Sequence, residues 1–200
     1  TNRVAISDMG GSMARVGFVP ASPDEREELE AALRDFEQHF AQLLRPPQVL
    51  RPFDGDPFAM PGWEVYWLDW EGKPCGFVIL AKVKLPPSRA EGKVGSQVEA
   101  TQITYYGIFS EFRHRGLGSA GLTLLEAYAL ASGRPLTWSC WLINPALKFW
   151  ERWAQDLVRA GWRVEKQPRE SSPPARTYTA WPPGADDVSN PLSYEGEVSC

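Results

Sequence analysis

The sequence predicts a mixed α/β domain of the α+β type, with one mostly antiparallel central sheet covered by helices on both faces. The first ground is segment order: strand, helix, two adjoining strands, a long strand, a glycine-rich turn, helix, strand, helix and two last strands. The second is that two β-rich runs, "WEVYWLDW" and "CGFVILAKVKL", meet across the short "EGKP", the pattern of an antiparallel hairpin. The third is size, since 200 residues with 43% hydrophobic content suffice for one real core and little more. A single sheet with helices packed on it buries this pattern.

Residues 1–13, polar and rich in Gly, Met and Ser, read as a flexible leader before a domain over 14–181. "ARVGFVPAS" gives the first strand. Ser22-Pro23-Asp24-Glu25 then combines an N-cap Ser, Pro at the first helical position and Glu three residues after the cap. Leu29, Leu33, Phe36, Phe40 and Leu43 follow as one apolar helical stripe, which Pro46-Pro47 ends. His39 on this helix reads as a surface residue, and the acids from Glu25 to Glu30 as a solvated first turn that suits the helix dipole. After the hairpin come a loop over 85–96 and the long strand "QVEATQITYYGIFS". "SAGLTLLEAYALAS" is helical, with Leu122, Leu125 and Ala129 on one side and Gly133 beyond its end. "LTWSCWLI" is a strand, and Asn144-Pro145 opens a helix through "ALKFWERWAQDLVRA" that Gly161 closes. "WRVEK" and "RTYTAW" are the last strands, and residues 182–200 read as a tail.

A net charge of −4 lacks the basic footprint of a nucleic-acid binder. Cys75, Cys140 and Cys200 have no metal-ligand spacing and cannot all pair, which is the usage of reduced thiols in a cytoplasmic protein. Cys140, inside an apolar run, reads as a core residue. No segment approaches the ~20 apolar residues of a membrane span.

The segment "GLGSAG" spells Gly116-x-Gly118-x-x-Gly121, the spacing of a dinucleotide-binding fingerprint. That reading requires an acid on the following strand for the ribose hydroxyl, and "LTWSCWLIN" has none. The chemistry of phosphate binding survives the loss of that reading. The loop leaves a strand and opens a helix, whose first N–H groups lack intrahelical partners and carry the positive end of the dipole. Arg113 and Arg115 add charge beside it. An ordinary Gly-rich turn is the alternative.

"YYGIFSEFRHRGLGSAGLTLLEAYALASG" resembles the acetyl-CoA-binding segment of the GNAT superfamily of N-acetyltransferases, and "WLINPALKFWERWAQDLVRAGW" resembles that family's later strand, Asn and helix. The resemblance runs from about Ala14 to Trp181 and implies two splayed parallel strands holding acetyl-CoA or another acyl-CoA. These would be the strand ending at Ile108-Phe109 and the one ending near Ile143. It implies that backbone groups around Ile108 and Phe109 meet the pantetheine arm, and that Arg113 and the backbone of His114, Arg115, Gly116, Leu117, Gly118 and Ser119 hold the pyrophosphate. Asn144 would stand near the pantetheine, or serve only as a helix cap.

The implied reaction is attack on the thioester by an amine of a small molecule or peptide. Freeing the lone pair of a primary amine at neutral pH costs roughly 4 to 5 kcal/mol, so a base or proton route is required, with an acid for the thiolate. The sequence departs from the family at both seats. Trp150 stands where the family often has Tyr, as a wall of the site or as core packing. On the strand before the glycines, Gln102, Thr104 and Tyr106 share a face by the period of two, and of these only Tyr106 titrates. Tyr106 and Glu99, further up that strand, are the candidate catalytic residues; Glu111 reads as a structural contact. Two functions therefore remain: an N-acyltransferase, or an acyl-CoA-binding module without proton-transfer groups. The aromatic hairpin and the loop over 85–96 are expected to choose the acceptor, or the hairpin's exposed aromatics to bury a homodimer partner.

Overall fold

The computed structural model describes residues 16–44, 55–85, 97–169, 171 and 174–184. The leader, the tail from residue 185 with Cys200, the loop over 86–96 and Pro46-Pro47 lie outside the described residues. The strands are β1 (Val16–Pro20), β2 (Trp63–Trp70), β3 (Lys73–Leu85), β4 (Val98–Ile108), β5 (Leu136–Trp141), β6 (Arg163–Arg169) and β7 (Ala175–Trp181). They form one sheet in the order β1-β2-β3-β4-β5-β7-β6, antiparallel throughout except between β4 and β5. The helices are α1 (Arg26–Leu43), α2 (Leu117–Ser132) and α3 (Leu147–Arg159).

The capping box at Ser22 forms, with the Ser22 N–H donating to Glu25 Oε2 at 2.7 Å, and a 3₁₀ turn over Pro23–Glu25 leads into α1. Leu29 and Leu33 of α1 then bury against Val65, Trp67, Phe77 and Ile79 of β2 and β3. The opposite sheet face carries the larger core, where Leu122, Leu125 and Ala129 of α2 and Trp153 and Leu157 of α3 pack on Val78, Leu80, Trp138 and Tyr178. β3 is covered on both faces, which explains why its run from Cys75 to Ala81 is buried at every position instead of alternating. Burial pushes the Cys75 thiol up to about 11 and the Cys140 thiol to about 12, so neither supplies thiolate at neutral pH.

β2 and β3 join through Glu71 and Gly72, both at positive φ (55° and 85°), the two-residue turn whose twist suits a hairpin. Of the aromatics of this hairpin, Trp67 is buried and Trp63, Tyr66 and Trp70 are half-buried. β2 lies between β1 and β3, with Trp67 buried towards α1 and Leu68 buried towards α2.

β4 also departs from the simple period. Ile79 of β3 faces Tyr105 and Leu80 faces Ile103, leaving Thr104 as the extra residue of a β-bulge. Ile103 and Tyr106, three apart, therefore both pack on the α2 and α3 side, and Tyr105 packs on the α1 side. Gln102, adjacent to Ile103, lies on the α1 face, so Gln102 and Tyr106 do not share a face.

A carboxylate fastens α2 to the sheet. Glu64 of β2 accepts hydrogen bonds from the hydroxyls of Tyr66 and of Tyr128 on α2, each at 2.8 Å, and lies 3.0 Å from Lys82 Nζ. Burial alone would raise this carboxyl, but the bonds from Tyr66, Lys82 and Tyr128 together outweigh it and hold the group below the usual carboxylate range. A carboxyl that is lowered on folding stabilises the native state above its ordinary range and loses that contribution as pH falls through the lowered value. Glu64→Gln is expected to lose about 1–2 kcal/mol at neutral pH and to flatten the acid limb of stability against pH, measured by denaturant midpoints. Parallel acid limbs in the two proteins would show that the charge contributes nothing.

Candidate active site

The two parallel strands touch only briefly. β4 and β5 pair at Thr101 with Leu136 and at Gln102 with Thr137, beside a bond from the Thr101 N–H to Pro135 O at 2.8 Å. Past this point residues 103–108 and 138–141 run on without pairing to each other. The bulge at Thr104 supplies the cause, because an extra residue bends its strand and raises its twist. The result is a V-shaped gap with its apex at Gln102 and Thr137 and a β4 arm about 20 Å long at ~3.3 Å per residue. β5 ends at Trp141, short of Ile143, because the Leu142 N–H turns to Pro174 O at 2.9 Å.

Aromatic rings close the gap above and below. On the α2 and α3 face, the Trp150 ring stands 5.7 Å from Tyr106 of β4 and 6.2 Å from Trp138 of β5, bridging the arms. Half-buried Trp150 thus packs across both strands. On the other face, Phe36 lies 6.5 Å from Tyr105 and Phe40 lies 5.8 Å from Trp141, so α1 bridges the same two strands. Within this region Thr104 Oγ1 and Trp138 Nε1 are buried and have no hydrogen-bond partner among the described residues.

Backbone polarity along the β4 arm follows from one bond. The Phe109 N–H donates to Cys75 O of β3 at 3.0 Å, so by alternation the N–H groups of Ile108 and Tyr106 face the gap. Arg113 folds back here: its Nε donates to Ile108 O at 3.0 Å, and its guanidinium donates to His39 Nε2 on α1. His39 is therefore not a bystander on the surface. It anchors the loop to α1 through Arg113, a contact invisible in the helical pattern because the partners are 74 residues apart.

The glycines open the mouth of the V. His114 and Gly116 take positive φ (60° and 77°), and α2 begins at Leu117, two residues before the position that the sequence pattern gives. Its first intrahelical bond runs from the Ala120 N–H to Gly116 O, and no side chain caps the end. The N–H groups of Leu117, Gly118 and Ser119 are left for an outside acceptor. At Gly121 an added Cβ would strike the Tyr106 hydroxyl and come within 3.3 Å of Leu68, so this glycine serves the close approach of helix and sheet. Exposed Arg115 lies over the rings of Trp70 at 5.5 Å and Phe112 at 5.8 Å, flat against the mouth.

The candidate catalytic residues part company. Tyr106 donates its hydroxyl to Gly118 O at 2.5 Å, and burial pushes it well above the usual phenol range. It latches the first turn of α2 to β4. Glu99 lies on the β4 segment before the apex, in an ion pair with Arg134 at 3.3 Å, and is not brought to the gap. Asn144 Oδ1 accepts from the Ala146 N–H at 2.8 Å, fixing the turn that leads into α3. Glu111 is exposed and accepts from the Ser110 hydroxyl at 3.2 Å. Sequence reasoning missed Tyr105, whose hydroxyl lies 3.4 Å from Glu37 Oε1 of α1 and is pushed up to about 12, first by burial and then by Glu37. Only the bulge turns Tyr105 to that face, and no local pattern announces it.

The chain matches the family described as "Acetyltransferase (GNAT) family" over residues 22–154. No curated relative matches it. Among solved structures it is similar to an acetyltransferase from Thermus thermophilus, at 19% identity and TM-score 0.52 over 82% of this chain and 95% of that one. It is similar to Arabidopsis thaliana NAA60 in complex with a bisubstrate analogue, at 15% identity and TM-score 0.52 over 82% and 95%. FeeM, an N-acyl amino acid synthase from uncultured soil microbes, aligns at 15% identity and TM-score 0.55 over 88% and 95%. These likenesses establish the shared fold.

The glycines separate by stability. Gly118→Ala is expected to be neutral or stabilising by up to about 1 kcal/mol, because its Cβ meets the Phe149 ring at 3.6 Å and Ile108 at 3.8 Å, ordinary contacts. Gly116→Ala is expected to cost about 1–2 kcal/mol for a left-handed residue with a Cβ. Equal losses in chemical denaturation would contradict this division.

Proposed function

The chain belongs to the GNAT acetyltransferase family, and we propose that it transfers an acyl group, acetyl in the first instance, from acyl-CoA to an amine by direct attack in a ternary complex. The observation that carries this reading is the gap between β4 and β5, which opens onto the uncapped N-terminus of α2. The residues present fit a diphosphate with a long amide-bearing arm. Three free N–H groups at a helix dipole suit the first, and unpaired backbone with unpartnered Thr104 and Trp138 groups suits the second. The acyltransferase unit spans residues 14–181.

Acyl-CoA supplies an activated thioester when bound. The N–H groups of Leu117, Gly118 and Ser119 hold the diphosphate, with Arg115 beside them. The N–H groups of Tyr106 and Ile108 face the gap and stabilise negative charge on a carbonyl oxygen there. Trp150 and Phe40 exclude water from the arms. Tyr106 positions the loop through Gly118. Tyr105 keeps a proton on its hydroxyl at neutral pH and donates it to the leaving thiolate, although burial and then Glu37 push the group up to about 12 and make it a weaker acid than a free phenol. The observation favouring a binding-only module is that the Tyr106 hydroxyl is committed to Gly118 and Glu99 lies outside the gap.

Calorimetric titration with CoA, together with thiol release from acetyl-CoA over a panel of small amines and peptides, decides between these readings. Turnover with any amine removes the binding-only module, and tight CoA binding without turnover removes the enzyme. Gly118→Glu is expected to abolish CoA binding while the melting temperature stays near that of the parent, since bulk and negative charge then stand against the diphosphate. Tyr105→Phe is expected to lower kcat by about tenfold to a hundredfold with CoA affinity unchanged; a full rate in that variant removes Tyr105 from proton transfer.

A further inference from the structure

On the α1 face, an open cavity of about 540 Å³ begins where the parallel pairing ends. Gln102 and Thr137, the last pair, line it, with Val83 of β3, Ser139 of β5, Thr177 of β7 and Arg169 of β6. α1 packs over β2 and β3, and the cavity lies beyond that cover. It therefore sits at the apex of the V, at the end of the gap opposite the glycine mouth. Three hydroxyls and the Gln102 amide line it beside the apolar Val83, Leu85 and Trp138.

Its charge is one-sided. No carboxylate lines it among the described residues, and two cations do, Lys84 of β3 and Arg169. Arg169 donates to Ser139 Oγ at 3.4 Å, and Ser139 is itself paired with the Thr177 hydroxyl at 2.8 Å. No carboxylate partner of Arg169 is present among the described residues. A simple cationic amine entering such a pocket meets two like charges and, among the described residues, no counter-charge. A guanidinium with open donors is instead matched to a carboxylate or a phosphate, which it binds with two parallel bonds.

Resting on the transferase reading above, we infer that the acceptor is an amine that also carries an anionic group, a carboxylate or a phosphate, and that Arg169 receives this group while the amine lies at the apex. The anion offsets the charge of Arg169, and its placement aims the amine at the gap. Arg169 thus determines acceptor specificity and stands apart from the diphosphate site.

The test uses γ-aminobutyrate, phosphoethanolamine and butylamine as acceptors, with CoA titration as a separate arm. Thiol release is expected with γ-aminobutyrate or phosphoethanolamine and not with butylamine, and the better of the first two identifies the anion. Arg169→Gln is expected to raise KM for that acceptor by about tenfold to a hundredfold, the span of a lost charge-assisted pair, with KM for acetyl-CoA unchanged. Arg169→Lys restores part of the loss. In calorimetry, the N-acetylated form of the acceptor is expected to bind the CoA-loaded parent and not the CoA-loaded Arg169→Gln protein. Butylamine used as well as the anionic amines, or an unchanged KM in Arg169→Gln, overturns the inference and leaves the transferase standing. CoA binding without turnover of any of the three overturns it as well, and failure to bind CoA overturns the transferase reading with it.

Discussion

The whole arrangement depends on hydrogen bonds that β4 and β5 do not make. Two parallel strands at the centre of a sheet normally satisfy each other along their length, and an unsatisfied buried backbone group is costly. Here pairing stops after Gln102 and Thr137, because Thr104 enters β4 as an extra residue and turns the arm away. Each arm keeps its outer neighbour, β3 on one side and β7 on the other, so the sheet stays intact while its centre opens. A gap of this kind leaves backbone donors and acceptors unpaired, and a chain of amides is the chemistry that would replace the missing strand.

Aromatic side chains bridge the gap on both faces. Trp150 spans from Tyr106 to Trp138 on one face, and α1 reaches both strands through Phe36 and Phe40 on the other. Rings are suited to this because they are rigid and large, and they keep water out of a cleft whose polar groups then act in a low dielectric. At the mouth, Tyr106 holds the first turn of α2, and Arg113 holds the loop to Ile108 and His39. The N-terminal N–H groups of α2 are therefore preorganised, with their dipole aimed at the mouth, and little ordering is left for a ligand to impose.

Local chemistry made most of the fold readable in advance. Ser22 with Glu25 marked the helix start, Gly133 and Gly161 marked two helix ends, and the turn at Glu71-Gly72 marked the hairpin, because each signal acts within a few residues. The glycine segment was readable for the same reason, since a strand, a left-handed turn and a helix start lie within a dozen residues. Trp150 was read as a wall or as packing, and its ring packs between Tyr106 and Trp138. Tyr105 was missed and Gln102 was set on the wrong face, because one bulged residue shifts everything after it and leaves no mark in composition.

The sequence by itself determined the order of elements, the buried faces of the helices and the uncapped glycine turn, since all three follow from spacing along the chain. Tertiary structure alone decided where β4 parts from β5, which tyrosine faces α1 and which latches α2, that His39 meets Arg113, and that Glu99 stays outside the gap. Those outcomes join residues far apart in the chain, and packing, not local propensity, sets their distances.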